Sequence, residues 1–348
     1  MYLIISLLTQ VVALSNSIDS ITIDIDAAKT INLSEVTNTL NPVPLSETGF
    51  ALGPIKDVYF INDKLYVLEC KTPEEFFYAR VLVFDKKGKY LGPLDSTSGL
   101  STWDVSYMSY DVKSNRIYTY CKDGYREYDY EGNLKQFFKG DNIIAVYDNL
   151  VWYQANETKA GKSEVRLIKS AKNKGKTETI RRFQYTLPQL YLNANVLFYP
   201  NIWVERNGDV IYIASAMQNN IFAYQNGLLE LKWKINFKDN SSLTFADSIK
   251  TSFGFIDDAI LINYFRGRTC YDYIFSPQTE KHFNIQYQWN RQGKLTSGLN
   301  DDILQTGLFK IRLSQGVPYF IKQTAELKGS TIYCKQQVNP IVFFFSLD

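Results

Sequence analysis

His282 is the one histidine in 348 residues, set in Glu280-Lys281-His282-Phe283 beside a predicted turn. A Ser-His-Asp triad or a multi-histidine metal site would depend on that ring alone. Its charged neighbours mark a solvated surface imidazole, which sets aside most hydrolase mechanisms and every His-rich metal site. Carboxylates remain. Asp, Glu, Asn and carbonyl oxygens suit a hard cation such as Ca²⁺, the ligand set of calcium-dependent lactonases and lyases. Glu74-Glu75 and Asp301-Asp302 are acidic pairs on predicted loops, and ordinary solvated charge accounts for both. No EF-hand loop, P-loop or Gly-x-Ser-x-Gly elbow occurs. No residue is therefore assigned as catalytic or metal-binding, and no cofactor is called for; calcium is the one ion this chemistry would accommodate.

Binding without chemistry is the other use of these residue types. Phe76, Tyr78, Trp103 and Tyr199 fall on predicted loops, and so do Arg266 and Arg268 around Gly267. Aromatic faces beside guanidinium groups suit recognition of a carbohydrate, a peptide or an envelope protein through stacking and hydrogen bonds. Trp103 and Tyr199 serve equally as packing caps between repeats. Nucleic acid is not an expected partner, because Lys+Arg total 38 against Asp+Glu 36, a formal charge of +2. Short basic runs such as Lys172-Asn173-Lys174-Gly175-Lys176 read as solvated hairpin tips.

The elements that must carry these loops repeat. Two apolar strands around a tight polar turn occur at Val58 to Leu68, Tyr107 to Tyr120, Ile143 to Tyr153, Ile202 to Ala214, Phe253 to Tyr264 and Phe309 to Ile321. Their turns hold Asn62-Asp63, Lys113-Ser114-Asn115, Asp148-Asn149, Asn207-Gly208-Asp209, Asp257-Asp258 and Gln315-Gly316, residues that tolerate positive φ. The turns recur about every 50 residues, the length of a long propeller repeat. A second hairpin follows most of the first; Arg80 to Leu91 and Tyr125 to Leu134 share an aromatic-Asp-x-x-Gly core. Two hairpins per repeat make a four-stranded meander, one propeller blade. The expected fold is all-β, a six-bladed β-propeller of four-stranded antiparallel blades. Its last repeat lacks a strand, so Ile341-Val342-Phe343-Phe344-Phe345 and the alternating Ser20 to Ile25 are expected to share the sixth blade and close the ring. With 25 Tyr and 22 Phe, the composition favours half-buried pleated surfaces.

Met1 to Leu14 is an apolar run too short for a finished membrane helix, and Ala13 and Ser15 are small residues spaced for signal-peptidase cleavage. Residues 1–15 are read as a signal peptide without a basic n-region, and 16–348 as a single domain, exported to the periplasm or cell surface. No later stretch is apolar enough to span a bilayer. Cys70, Cys121, Cys270 and Cys334 show no CxxC spacing. Cys70 and Cys121 end equivalent strands of successive repeats, beyond the reach of a disulfide, so free thiols are expected.

Leu33-Ser34-Glu35-Val36, Val43-Pro44-Leu45-Ser46-Glu47-Thr48, Ile55-Lys56-Asp57-Val58, Val83-Phe84-Asp85-Lys86-Lys87-Gly88-Lys89 and Asn339-Pro340-Ile341-Val342 come in an order that resembles a family of exported, NHL-like six-bladed propeller proteins of gut Bacteroidota. The resemblance spans nearly the whole mature chain. It implies a propeller, an exported or surface-attached location and no settled activity. The chain departs from the family at Gly92 to Leu100, where a Gly-x-Gly-Pro-Gly-Glu-like loop is usual. Two functional classes follow. One is a non-catalytic exported propeller binding a glycan, peptide or protein at one face of the ring; the other is a calcium-dependent, lactonase- or lyase-like propeller enzyme acting on sugars.

Overall fold

The computed structural model describes residues 19–46, 48–72, 79–94, 103–159, 162–172, 177–186, 202–215, 218–238, 250–266, 269–327 and 339–347. Among these residues the chain forms 29 strands joined by turns and short 3₁₀ segments, and no α-helix. The strands group into successive antiparallel meanders. The first is Ile55–Ile61, Lys64–Cys70, Ala79–Asp85 and Tyr90–Pro93; the second is Val105–Asp111, Arg116–Cys121, Gly124–Asp129 and Leu134–Lys139. The third runs Ile143–Tyr147, Leu150–Lys159, Lys162–Ala171 and Thr177–Thr186; the fourth runs Ile202–Asn207, Val210–Ser215, Gln218–Gln225 and Leu228–Lys238. Lys250–Ile256, Ala259–Arg266, Thr269–Phe275 and His282–Trp289 make the fifth. The arrangement is propeller-like.

The turns form where the sequence places them. Asn62, Asp63, Asn115, Asp148, Asn149, Asp257 and Gln315 all take positive φ, the conformation a tight hairpin needs so that its twist matches the strands. The second strands carry the core: Leu65, Tyr66, Val67, Leu68 and Cys70 of Lys64–Cys70 are all 0% exposed. Most tyrosines serve burial in the same way, with Tyr66, Tyr118, Tyr120, Tyr125, Tyr128, Tyr264, Tyr287 and Tyr319 among the largest fully enclosed side chains.

The last sheet is built from both ends of the chain, but a different N-terminal segment takes part. Arg312–Ser314, Val317–Lys322 and Ile341–Phe345 are completed by Leu40–Pro44, which pairs antiparallel with Ile341–Phe345. The Ser20 to Ile25 segment pairs elsewhere: Asp19–Asp24 lies parallel to Leu228–Lys238 as a fifth strand on the fourth meander, with Ile21 and Ile23 buried. Alternation fixes which face of a strand is buried and not which free edge it joins. Pro42 and Pro44 argue against a central strand in sequence, yet an outermost strand tolerates them.

The first strands of the meanders lie side by side. Ile55–Ile61 contacts Val105–Asp111, and contacts continue in chain order through Ile143–Tyr147, Ile202–Asn207 and Lys250–Ile256 to Arg312–Ser314, which in turn touches Ile55–Ile61. Such strands present backbone amides with no ladder partner on one edge, and a buried N–H must be satisfied somehow. Side chains of the neighbouring repeat do this. Val58 N–H donates to the Tyr319 hydroxyl (2.9 Å), Met108 N–H to Tyr59 (3.3 Å) and Val146 N–H to Tyr120 (2.8 Å). Ile202 N–H uses Gln154 Oε1 (2.9 Å) and Phe60 N–H uses Ser314 Oγ (2.7 Å). In three first strands the register shifts just before the latched residue, at Ile55/Asp57, Val105/Tyr107 and Ile143/Ala145. Bulges of this kind re-aim side chains.

Candidate functional site

The bulge in Ile55–Ile61 sets the position of Asp57. Its carboxylate accepts the Val58 N–H (2.9 Å) and a short hydrogen bond from the Tyr319 hydroxyl. Burial nevertheless raises its pKa, opposed by those two bonds and by the nearby Arg312 charge. Arg312 is anchored by donating to the Ile55 and Lys56 carbonyls (both 3.1 Å). The second carboxyl, Glu205, comes from the first strand of the fourth meander. Burial first, and then the charge of Asp57, pushes its pKa up to about 7. Both residues are of intermediate exposure. Tyr59, Tyr147 and Tyr319 stand beside them, their hydroxyls raised well above the usual range by burial, and further by Asp57 for Tyr59 and Tyr319 and by Glu205 for Tyr147.

Two carboxyls that burial makes hold their protons more tightly can act in two ways. They can divide acid and base roles, or hold a cationic group that compensates their shared charge. Next to Glu205 in sequence, Arg206 is already committed. Its guanidinium pairs with Asp111 (3.1 Å) and Asp148 (2.8 Å) and donates from Nε to the Gly208 carbonyl (2.9 Å). Asp111, 0% exposed, also accepts the Ser114 hydroxyl (2.8 Å) and the Asp148 N–H (3.2 Å). This network ties the second, third and fourth meanders at their turn ends. A separate cleft of about 260 Å³ opens there, lined by Lys113, Asp148, Asp209, Ile211 and Tyr224; the Asp57–Glu205 pair is not part of it. Among the described residues no group of three or more His, Cys, Asp or Glu is placed to hold a metal ion.

Most of the aromatic and arginine residues chosen from sequence fall where the structure gives no side chain. Phe76, Tyr78, Tyr199 and Arg268 lie outside the described residues, and Arg266 is described only as the backbone end of Ala259–Arg266. Trp103 is described, and its face is occupied. The Arg80 guanidinium sits over its ring at 4.6 Å and over Phe50 at 4.9 Å while pairing with buried Glu69 at 2.5 Å. Trp103 therefore packs against the protein's own cation. His282 lies on the surface, with its ring against Tyr273. Asp301 and Asp302 are not free loop charges. Asp301 is 1% exposed and accepts the Leu304 N–H (2.9 Å) and the Thr306 hydroxyl, and Asp302 accepts the N–H and hydroxyl of Ser34. Among the described residues Cys121 and Cys270 are free thiols and Cys70 is buried; Glu74, Glu75 and Cys334 lie outside the described residues.

No protein-family model matches the sequence, and no curated protein matches it. The three-dimensional comparison is positive. The chain is similar to a solved protein of Bacteroides fragilis, provisionally described as exported, at TM-score 0.60 and 10% identity over 94% of this chain and 99% of that one. The fold is shared. Fainter likenesses are to a member of the DUF4221 family from Bacteroides vulgatus (TM-score 0.48, 7% identity, 90% and 98% covered) and to an oligogalacturonate lyase in complex with manganese (0.40, 9%, 92% and 98%). Neither is close enough to bear on the chemistry of this chain.

The sequence did hold a signal for the carboxyl pair. Asp57 interrupts Ile55-Lys56-Asp57-Val58-Tyr59, and Glu205 interrupts Ile202-Trp203-Val204-Glu205; an acidic residue within an otherwise apolar strand is costly unless something answers it. What strand periodicity could not give is that a carboxyl about 150 residues away in sequence comes near enough to Asp57 to feel its charge.

Proposed function

We propose that this chain is an exported six-bladed β-propeller, a single domain over residues 16–348 behind a signal peptide, that works by binding and not by catalysis. Its ligand is a peptide or protein segment bearing a cationic group, taken up at the Asp57–Glu205 pair. The observation that carries the reading is that pair. Its two carboxyls sit on first strands three repeats apart, yet Asp57 is near enough to help raise Glu205. In a closed ring of six, repeats one and four are opposite, and their innermost strands converge on the axis. The cyclic contact of the first strands supports the same closure. A lysine or arginine side chain entering along the axis would replace the protein–carboxyl repulsion with attraction. A neutral glycan would leave it unrelieved, so a peptide is favoured over a sugar among the classes the sequence suggests.

Calorimetric titration with lysine-containing tripeptides, against norleucine-containing counterparts, tests the proposal. The lysine peptide should bind more tightly at pH 8 than at pH 6, as Glu205 ionises, and the Asp57→Asn/Glu205→Gln double variant should lose that preference. Equal binding of both peptides, or a preference that survives the double variant, would refute it. A rise in melting temperature with calcium chloride and none with either peptide would replace it with the metal-dependent reading. A ligand present at 100 times its Kd adds about 2.7 kcal/mol, enough to see in such a scan.

A further inference from the structure

The seam between the fifth and last sheets holds a sulfur and an amine in direct contact. Cys270, in Thr269–Phe275, is 1% exposed, and the Lys310 ammonium donates to its Sγ at 3.1 Å. Lys310 leads into Arg312–Ser314, so the contact joins strands of different repeats. No ion pair between Lys310 and a carboxylate occurs within contact distance among the described residues, although its charge acts on buried Asp272; its other neighbours include the ring faces of Phe265 (5.7 Å) and Tyr287 (5.6 Å). Asn263 directs its amide at the same sulfur (3.5 Å) and at buried Asp272 (2.5 Å). Burial pushes the Cys270 thiol up, against the pull of Lys310, so the sulfur is held uncharged. A thiol is a weak acceptor for an ammonium. The amine's direct contact is therefore a weak one, with Asp272 acting on it only through its charge.

We propose that Cys270 and Lys310 form a covalent sulfur–oxygen–nitrogen bridge under oxidising conditions. The thiol, the neutral amine and one dioxygen molecule give Cys–S–O–NH–Lys and one water. The S–H bond and one N–H bond break, and S–O and O–N bonds form. Sulfur and nitrogen each give up two electrons, and dioxygen takes all four, one of its atoms staying in the bridge and the other leaving as water. The bridge turns a weak contact into a covalent one and staples the fifth sheet to the last. Two dithiothreitol molecules, each giving two electrons and two protons as it closes to its disulfide, return the free thiol and the free amine and release the bridging oxygen as water, as for other reversible cysteine oxidations. An exported protein would meet the required oxidant.

Intact-mass and peptide-mapping spectrometry of the full chain tests this, comparing protein held under air with protein reduced by dithiothreitol without oxygen. Aerobic protein should yield one cross-linked peptide containing Cys270 and Lys310, heavier than its parts by one oxygen and lighter by two hydrogens. Reduction should abolish it, restore one titratable thiol and lower the melting temperature. Lys310→Arg should never give the cross-link. Folded wild-type protein whose Cys270 remains a free thiol after prolonged aeration, or is oxidised without joining Lys310, would overturn the proposal. Because the readout is a mass, the result is independent of whether any peptide binds at Asp57 and Glu205.

Discussion

Glu205 shows how one side chain can make stability depend on pH. In the folded chain it keeps its proton to about 7, against 4.5 for an unperturbed glutamate. Between those values the native state binds more protons than the unfolded chain, so stability falls as pH rises. The favourable contribution is complete below pH 4.5 and lost once pH has passed 7. Glu205→Gln should remove that slope and gain about 1–3 kcal/mol at pH 8, measurable by urea denaturation at pH 5 and pH 8. An unchanged slope in the variant would place the titrating group elsewhere. Arg206 should behave in the opposite sense. Arg206→Met leaves Asp111 enclosed without its cation, and breaking a buried pair this way costs about 3–5 kcal/mol. Tyr319→Phe removes both the Val58 latch and the Asp57 donor. A shift in urea midpoint equivalent to about 1–3 kcal/mol is expected, with no change in m. At this scale the sequence was least informative. The turn residues could be named, because Asn and Asp announce positive φ locally. Asp57 and Glu205 could not be paired, because their proximity depends on how distant strands come to face each other.

At the scale of strands and hairpins most of the architecture was legible. The hairpins around Asn62-Asp63, Asp148-Asn149, Asp257-Asp258 and Gln315-Gly316 all form, since apolar runs and turn chemistry are local properties. The exceptions are strands that join an edge made by remote chain. Leu40–Pro44 was hidden by its prolines, and Asp19–Asp24 alternates as well as any edge strand but carries no mark of its partner. Their different placements separate two deletions. Removing residues 19–24 strips the outer edge from the fourth meander and should leave a weakened but cooperative unfolding transition. Removing residues 19–46 also takes the fourth strand from the last sheet, exposing the buried row Ile341–Phe345; circular dichroism and urea denaturation should then show no cooperative transition. If the longer deletion unfolds as sharply as the shorter, Leu40–Pro44 is dispensable. Within the last sheet, Phe343 is 0% exposed and stacks on Phe320 at 4.9 Å, so Phe343→Ala should cost about 3–5 kcal/mol.

Across the whole molecule, the joint between the N-terminal segment and the first meander is as tight as any within a sheet. Ser46 N–H donates to the Gly88 carbonyl (2.8 Å), and Tyr90 N–H donates to the Ser46 carbonyl (3.2 Å). Gly88 has φ +84, and a Cβ there would stand 2.0 Å from the Pro44 carbonyl oxygen. Only glycine fits so close an approach of two backbones.

The pairing of Leu40–Pro44 with Ile341–Phe345 also governs when folding can finish. The two strands are separated by roughly 300 residues, so their ladder is a contact of very high order, with a large loop-closure cost to meet before it forms. A ribosome must release almost the entire polypeptide before the first of them finds its mate. Until then the last sheet is one strand short, and it settles only after the far end has arrived.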